Sequence, residues 1–153
     1  MAKTDKKAAT ARSAAVEILQ QVLGEGAYTN IAVNKYLRSH ELSDMDRRLM
    51  TELVYGTVKA VGTIDWYLQQ CVTRPLDKID KLVLSILRIS VYQLLYMDKI
   101  PASAACNEAV NLARLFTHEG NAKFVNGVLR GLLRKKDSFT LPDADKETAD
   151  YIS

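Results

Sequence analysis

From about Lys6 to Leu23 the apolar residues Ala9, Ala15, Val16, Leu19, Val22 and Leu23 recur at spacings of three and four. That is the period of a helix with one buried face. Gly24 and Gly26 predict its end. A shorter pattern follows from about Asn30 to Ser39 through Ile31, Val33, Tyr36 and Leu37, with Thr29 or Asn30 as its cap. Ser43 stands three residues before Asp46, a capping box with Asp in place of the usual Glu. It opens a long helical pattern through Met45, Leu49, Met50, Leu53, Val54, Thr57 and Val58. Gly62 and Thr63 predict an interruption, with Thr63 capping a short helix through Ile64, Trp66, Tyr67, Leu68 and Val72. Arg74-Pro75 breaks that helix, because a residue before proline is pushed out of the helical region.

The segment from about Asp77 to Met97 is the most apolar. Only Lys81, Ser85, Arg88 and Tyr92, again spaced at three and four, form a polar stripe, so this helix belongs in the middle of a bundle. Ser90 falls on the buried side, where its small size permits close helix approach. Ile100-Pro101 predicts a turn and then a helix to about Thr117, with proline near its first position. Gly120 separates it from a last helix, about Asn121 to Lys136. A tail with Pro142, acidic residues from Asp137 to Asp150 and a candidate helix start at Ala144 follows. No strand series and no internal repeat is visible. The fold class is all-α, a bundle of about seven helices.

Composition narrows the class. In 153 residues, 48% hydrophobic and 25% charged is the mix of a chain with a real core. Three prolines and seven glycines are few, which favours long helices. No apolar stretch approaches the ~20 residues of a membrane span, and the basic N-terminus is not followed by a signal-peptide core. Cys71, Cys106, His40 and His118 are scattered, without metal-site spacing. Two isolated thiols fit a reducing cytoplasm and read as small core residues.

The net charge is only +3, so its distribution matters more than its size. Phe124, Val125, Val128, Leu129, Leu132 and Leu133 take one half of the last helix, and Lys123, Arg130 and Arg134 the other. Between Lys123 and Lys136 there are five basic residues and no acidic one. The first residues add Lys3, Lys6, Lys7 and Arg12 against Asp5. Packed together, the two ends would make one basic face suited to a phosphate backbone. The plain alternative is a solvated surface whose cations also complement the helix C-terminus.

Catalytic chemistry is missing. Gly24-x-Gly26 follows a helical pattern and lacks a third glycine, so it is no dinucleotide fingerprint. There is no phosphate loop and no nucleophile elbow. Glu52 and Glu108 are potential general bases that nothing pairs. A binding module is the reading that remains.

Several local motifs then gain weight together. Ala11-Arg12-x-x-Ala15, Leu87-Arg88-Ile89-x-x-Tyr92-Gln93-Leu94, Ile100-Pro101, Asn107-Glu108-Ala109-Val110-x-Leu112-Ala113 and Lys123-Phe124-Val125-Asn126-Gly127-Val128-Leu129 resemble a NusB-type domain across about residues 8–136. Asp46-Arg47-x-Leu49, Glu52 to Thr57 and Leu129-Arg130 are most similar to the N-terminal NusB-like domain of the Sun/RsmB methyltransferases, which make 5-methylcytosine in 16S ribosomal RNA. Leu141-Pro142 and Tyr151-Ile152-Ser153 look like the start of a connection to a catalytic domain.

The resemblance implies two small helical subdomains around the Asp77–Met97 helix. It divides the chain into a flexible basic tail (1–5), a NusB-like RNA-binding domain (6–136) and an acidic linker (137–153). It implies a non-catalytic chain whose parent enzyme binds S-adenosylmethionine and a catalytic cysteine elsewhere; neither Cys71 nor Cys106 follows proline, as that cysteine does. No cofactor and no metal is expected in this chain. Expected partners are 16S ribosomal RNA, a methyltransferase catalytic domain in cis and a ribosomal protein, in the cytoplasm and away from membranes. The expected RNA contacts are Lys6, Lys7, Arg12, Lys123, Arg130 and Arg134 on phosphates, with Asn126 reaching a base or sugar. Asn126 is equally readable as a residue that satisfies backbone groups between packed helices. Phe124 reads as core before it reads as a stacking platform, and Asn107 and Glu108 as organisers of their helix start. Two other functions stay open: a protein-docking module for a catalytic domain or ribosomal protein, and a free-standing NusB-like antitermination factor.

Overall fold

Thr10 and Ser13 decide where the first helix begins. In the computed structural model, which describes residues 9–139, the Thr10 hydroxyl accepts from the Ser13 N–H (3.1 Å) and the Ser13 hydroxyl accepts from the Thr10 N–H (2.9 Å). This reciprocal box satisfies donors that a helix start leaves unpaired. Helix α1 therefore runs Ala11–Leu19, not from Lys6 as the periodicity predicts. Lys6, Lys7 and the basic tail lie outside the described residues, as do Leu141-Pro142, Ala144 and Tyr151-Ile152-Ser153. A π-helical turn, Gln20–Gly24, continues α1. No 3.6-residue pattern announces it. It carries Gln20 to Ser85, whose hydroxyl donates to Gln20 Oε1 (3.0 Å). Gly26 then reverses the chain at φ +81, a conformation that a Cβ would strain.

Helix α2, Thr29–Ser39, starts from Tyr28; neither Thr29 nor Asn30 caps it. Helix α3, Asp44–Lys59, has the expected cap, with the Ser43 hydroxyl accepting from the Asp46 N–H at 3.1 Å. The return bond from Asp46 does not form, since Asp is one methylene shorter than the Glu of a full box. Ser43→Ala is expected to cost about 1 kcal/mol, measured as a lower urea midpoint. The next break falls at Ala60, not at Gly62-Thr63. Helix α4, Val61–Cys71, begins directly after it with no side-chain cap. Thr63 lies in its first turn, beside Tyr96, and caps nothing.

A 3-10 turn, Leu76–Lys78, precedes helix α5, Lys81–Tyr96. Asp80 sets this start, later than Asp77, by accepting from the N–H groups of Leu82 and Val83 (2.9 and 3.1 Å). The stripe that reads as polar along α5 is largely spent on neighbours. Ser85 is buried on Gln20, and Arg88 forms a two-pronged pair with Asp65 of α4 (2.9 and 2.8 Å). Ser90 is buried and donates to its own Ile86 carbonyl (2.8 Å). Helix α6, Ala102–Phe116, starts behind Pro101. Helix α7, Glu119–Lys135, starts at His118, whose Nδ1 accepts from the Asn121 N–H (3.3 Å), so Gly120 lies inside its first turn. After a 3-10 turn, Lys136–Ser138, Phe139 returns to the rings of Trp66 and Tyr67 on α4, both 5.9 Å away between centroids.

Helix α5 packs against α1, α3, α4, α6 and α7. Helices α1–α3 gather on one flank of it and α4, α6 and α7 on the other, over one continuous core that includes Leu53, Ile86, Leu87, Ile89 and Leu129. This is the expected all-α bundle of seven helices, without a strand among the described residues. Among the described residues no helix is long and apolar enough to cross a membrane.

Gly56 fixes how closely α3 and α5 approach. A Cβ there would overlap the Tyr92 ring. Gly56→Ala gains about 1 kcal/mol of helix propensity but forces the ring away from Glu52 and Tyr96, its neighbours. The expected net is a loss of about 1–2 kcal/mol. In a Tyr92→Ala background the same substitution should stabilise, and urea titration of the four proteins checks the reversal.

Candidate nucleic-acid interface

Helix α7 separates its two faces cleanly. Ala122, Val125, Val128, Leu129 and Leu132 are buried, while Lys123, Asn126 and Arg134 are exposed. Arg130 is half-buried and its Nε donates to Asn126 Oδ1, one turn earlier, at 3.3 Å. Asn126 is therefore not wedged between packed helices; it steers the Arg130 guanidinium along the surface. Phe124 is half-buried against the core, and the Arg74 guanidinium lies 4.9 Å from its ring centroid. Arg74 is a contact that sequence reading missed, because the two residues are fifty apart.

Arg12 is held by α5. Its Nε donates to Gln93 Oε1 (3.0 Å), and the buried Gln93 amide donates to the Ile89 carbonyl (2.9 Å). Arg130 faces α6, where its charge draws the Cys106 thiol down against the larger upward push of burial. Gln93 and Cys106 each lie about one turn from the short 97–101 connection between α5 and α6. Arg12 on α1 and Arg130 on α7 are thus each held in place by a side-chain amide. Lys123 and Arg134 extend the charge along α7 in both directions from Arg130.

Beside this line runs an open groove of roughly 430 Å³ between α6 and α7. Val110 and Ala122 form its floor, and Asn107, Asn111, Lys123 and Asn126 line its sides. Arg114 and Glu119 close the end nearest the α6–α7 turn with a paired contact (2.7 and 3.3 Å). Arg114 holds the Glu119 carboxyl below its ordinary range, and Glu119 pushes the guanidinium up. Asn107 does not organise its helix start, as the sequence suggests. It is an exposed residue in the second turn, and the start is left to Pro101. Nothing in the sequence pairs the α6 and α7 faces, although Asn107 and Asn111 at i, i+4 share one side.

Other candidate chemistry is absorbed by structure. Burial pushes both cysteine thiols up, which disfavours a reactive thiolate. His118 caps α7, and His40 stacks on Tyr36 with 3.9 Å between centroids. Glu52 lies beside Tyr92, where its charge helps to push the phenol up. A second depression, beside the π turn, is lined by Gln20, Ser85, Asp65 and Arg88, which already pair with one another. Among the described residues no group of three or more His, Cys, Asp or Glu side chains is placed to hold a metal.

Comparison with known proteins identifies the family and the fold. The model of the NusB family matches residues 9–134. The chain belongs to the NusB family. Two kinds of relative share this NusB domain. One, named "Probable ribosomal RNA small subunit methyltransferase B" from Bacillus subtilis (strain 168), is 41% identical over 129 residues, which is 84% of this chain but 29% of the relative. The other, named "Transcription antitermination protein NusB" from Ruminiclostridium cellulolyticum, is 32% identical over 119 residues, 77% of this chain and 82% of the relative. The chain thus spans under a third of the methyltransferase relatives it matches. Among solved structures, NusB in a complex of antitermination factors NusB and NusE with dsRNA superposes with a TM-score of 0.73 at 21% identity, over 81% of this chain and 93% of that one. This likeness is one of fold.

Proposed function

We propose that this NusB domain binds ribosomal RNA and positions it for a cytosine-C5 methyltransferase, without catalysing the reaction itself. The observation that carries this reading is the basic outer face of α7, with Lys123, Arg130 and Arg134 and no acidic side chain among them, opposite its buried face; Arg12, held by Gln93, is a further cation fixed on a helix. Cations on rigid helices, held by Gln93 and Asn126, are prepared to neutralise phosphates at little ordering cost. Lys6 and Lys7 are proposed as further phosphate contacts. The 41% identity to a probable ribosomal RNA methyltransferase favours this parent over an antitermination factor. In such an enzyme 16S ribosomal RNA is the substrate, and the catalytic domain, attached in cis, holds S-adenosylmethionine. The described residues do not fit that cofactor: they form no strand and no glycine-rich turn of a Rossmann-like site.

Binding of the full chain to a 16S ribosomal RNA fragment across a salt series tests the reading. Four or more phosphate contacts predict a log–log slope of about −3 on a single strand. Absence of binding at low salt, with the helical circular dichroism intact, would overturn it.

One observation favours docking as a second role. Tyr28 and Ile31 are 76% and 57% exposed at the start of α2, and the similar NusB structure is assembled with a second protein, NusE. A ribosomal protein or the catalytic domain would be the partner, and loss of co-purification in Tyr28→Ser/Ile31→Ser would identify that surface.

A further inference from the structure

We infer that the α6–α7 groove takes a single unpaired base of the RNA and reads its edge with side-chain amides, an inference that rests on the RNA-binding reading above. The groove has the two-sided chemistry that a nucleobase requires. Its floor, Val110 and Ala122, is apolar and suits the flat face of a ring. Its walls carry the carboxamides of Asn107, Asn111 and Asn126, each offering an acceptor beside a donor, the complement of a base edge. Asn126 Oδ1 is occupied by Arg130, which leaves its NH2 as a directed donor. Asn107 and Asn111 form no hydrogen bond with another described residue and are exposed.

Size and polarity fix the orientation. Asn107 and Arg114 stand two turns apart, about 10 Å along α6, and the roughly 430 Å³ between the helices is within the usual range of small-ligand sites. A paired duplex exposes its base edges only across a wide, shallow minor groove and cannot enter a slot of this length. Lys123 on the rim and Arg130 beyond Asn126 would hold the flanking phosphates. Arg114 and Glu119 neutralise each other at the closed end, so the free cations that can hold the backbone lie at the rim. Only the base enters.

The test is fluorescence anisotropy of the full chain with single-stranded oligo(A), oligo(C) and oligo(U) dodecamers and a duplex of the same length. It is run for the natural protein and for Asn107→Ala/Asn111→Ala. Both substitutions sit on exposed helix positions, and a urea midpoint verifies that the variant folds. The natural protein is expected to separate its best from its worst single strand by at least about tenfold and to bind the duplex more weakly than its best strand. The variant should bind all three strands within about twofold, with an unchanged salt slope, because its phosphate contacts remain. Equal affinity of the natural protein for every probe would overturn the inference and leave RNA binding standing. So would a preference that survives in the variant. Failure to bind any probe at low salt would remove the RNA-binding reading itself.

Discussion

Charge reversal at Lys123 and Arg130 together is expected to weaken RNA binding at least about a hundredfold at low salt, the cost of losing two hydrogen bonds to charged groups at about 1.5–3 kcal/mol each. The salt dependence carries the more specific signature. Each phosphate contact on a single strand contributes about −0.7 to the slope, so Lys123→Glu/Arg130→Glu should flatten it by about 1.4. Both side chains are on the outer side of α7, clear of Val125, Val128 and Leu129 in the core. The variant should therefore unfold at nearly the natural urea concentration. Arg130 will not behave as an independent charge. It is tied to Asn126, so Asn126→Ala should lower affinity in the same direction by loosening the guanidinium. A variant that binds with unchanged slope would mean that α7 is solvated surface and that the RNA lies elsewhere.

At the other end of the molecule, Tyr36→Phe is expected to stabilise the protein, and the gain should grow in alkali. Tyr36 is 7% exposed and its hydroxyl has no hydrogen-bond partner among the described residues. A buried unpaired hydroxyl costs about 1–3 kcal/mol, so its removal should be neutral or favourable near pH 8. The ring stack on His40 is kept by phenylalanine. Burial, with the Glu17 charge as a smaller contribution, pushes the Tyr36 phenol up to about 12. An unfolded tyrosine ionises near 10. Between those values the unfolded chain releases a proton that the folded protein keeps, so stability is full below pH 10 and falls as pH rises towards 12. Two pH units correspond to about 2–3 kcal/mol. Burial also pushes Tyr92 and Tyr96 up, so the natural protein alone cannot assign this alkaline loss. The difference between natural protein and Tyr36→Phe in urea titrations at pH 8, 10.5 and 11.5 isolates Tyr36. Parallel losses in both proteins would refute its role.

Helices that own their signals were readable from the chain. The Ser43 cap, the Pro75 break, the Pro101 start and the apolar α5 are local features, each a consequence of which residues lie within one turn of each other. Boundaries failed where a distant group competed. Thr63 fell inside α4, beside Tyr96, and caps nothing. Gly120 was absorbed into α7 once His118 supplied a cap from outside the usual set. The π turn followed the helix period until Gln20 found Ser85, sixty-five residues away.

The candidate interface divides along the same line. The amphipathic α7, with Lys123, Asn126, Arg130 and Arg134 on its polar half, is a property of the sequence, since a helix period alone sorts those side chains. The likeness to NusB was equally present in local motifs. The hold of Gln93 on Arg12, the contact of Arg74 with Phe124 and the groove of amides between α6 and α7 were decided only by the fold. Each depends on which faces pack together, and packing is set by the complementarity of whole surfaces, which no residue's neighbours in sequence determine.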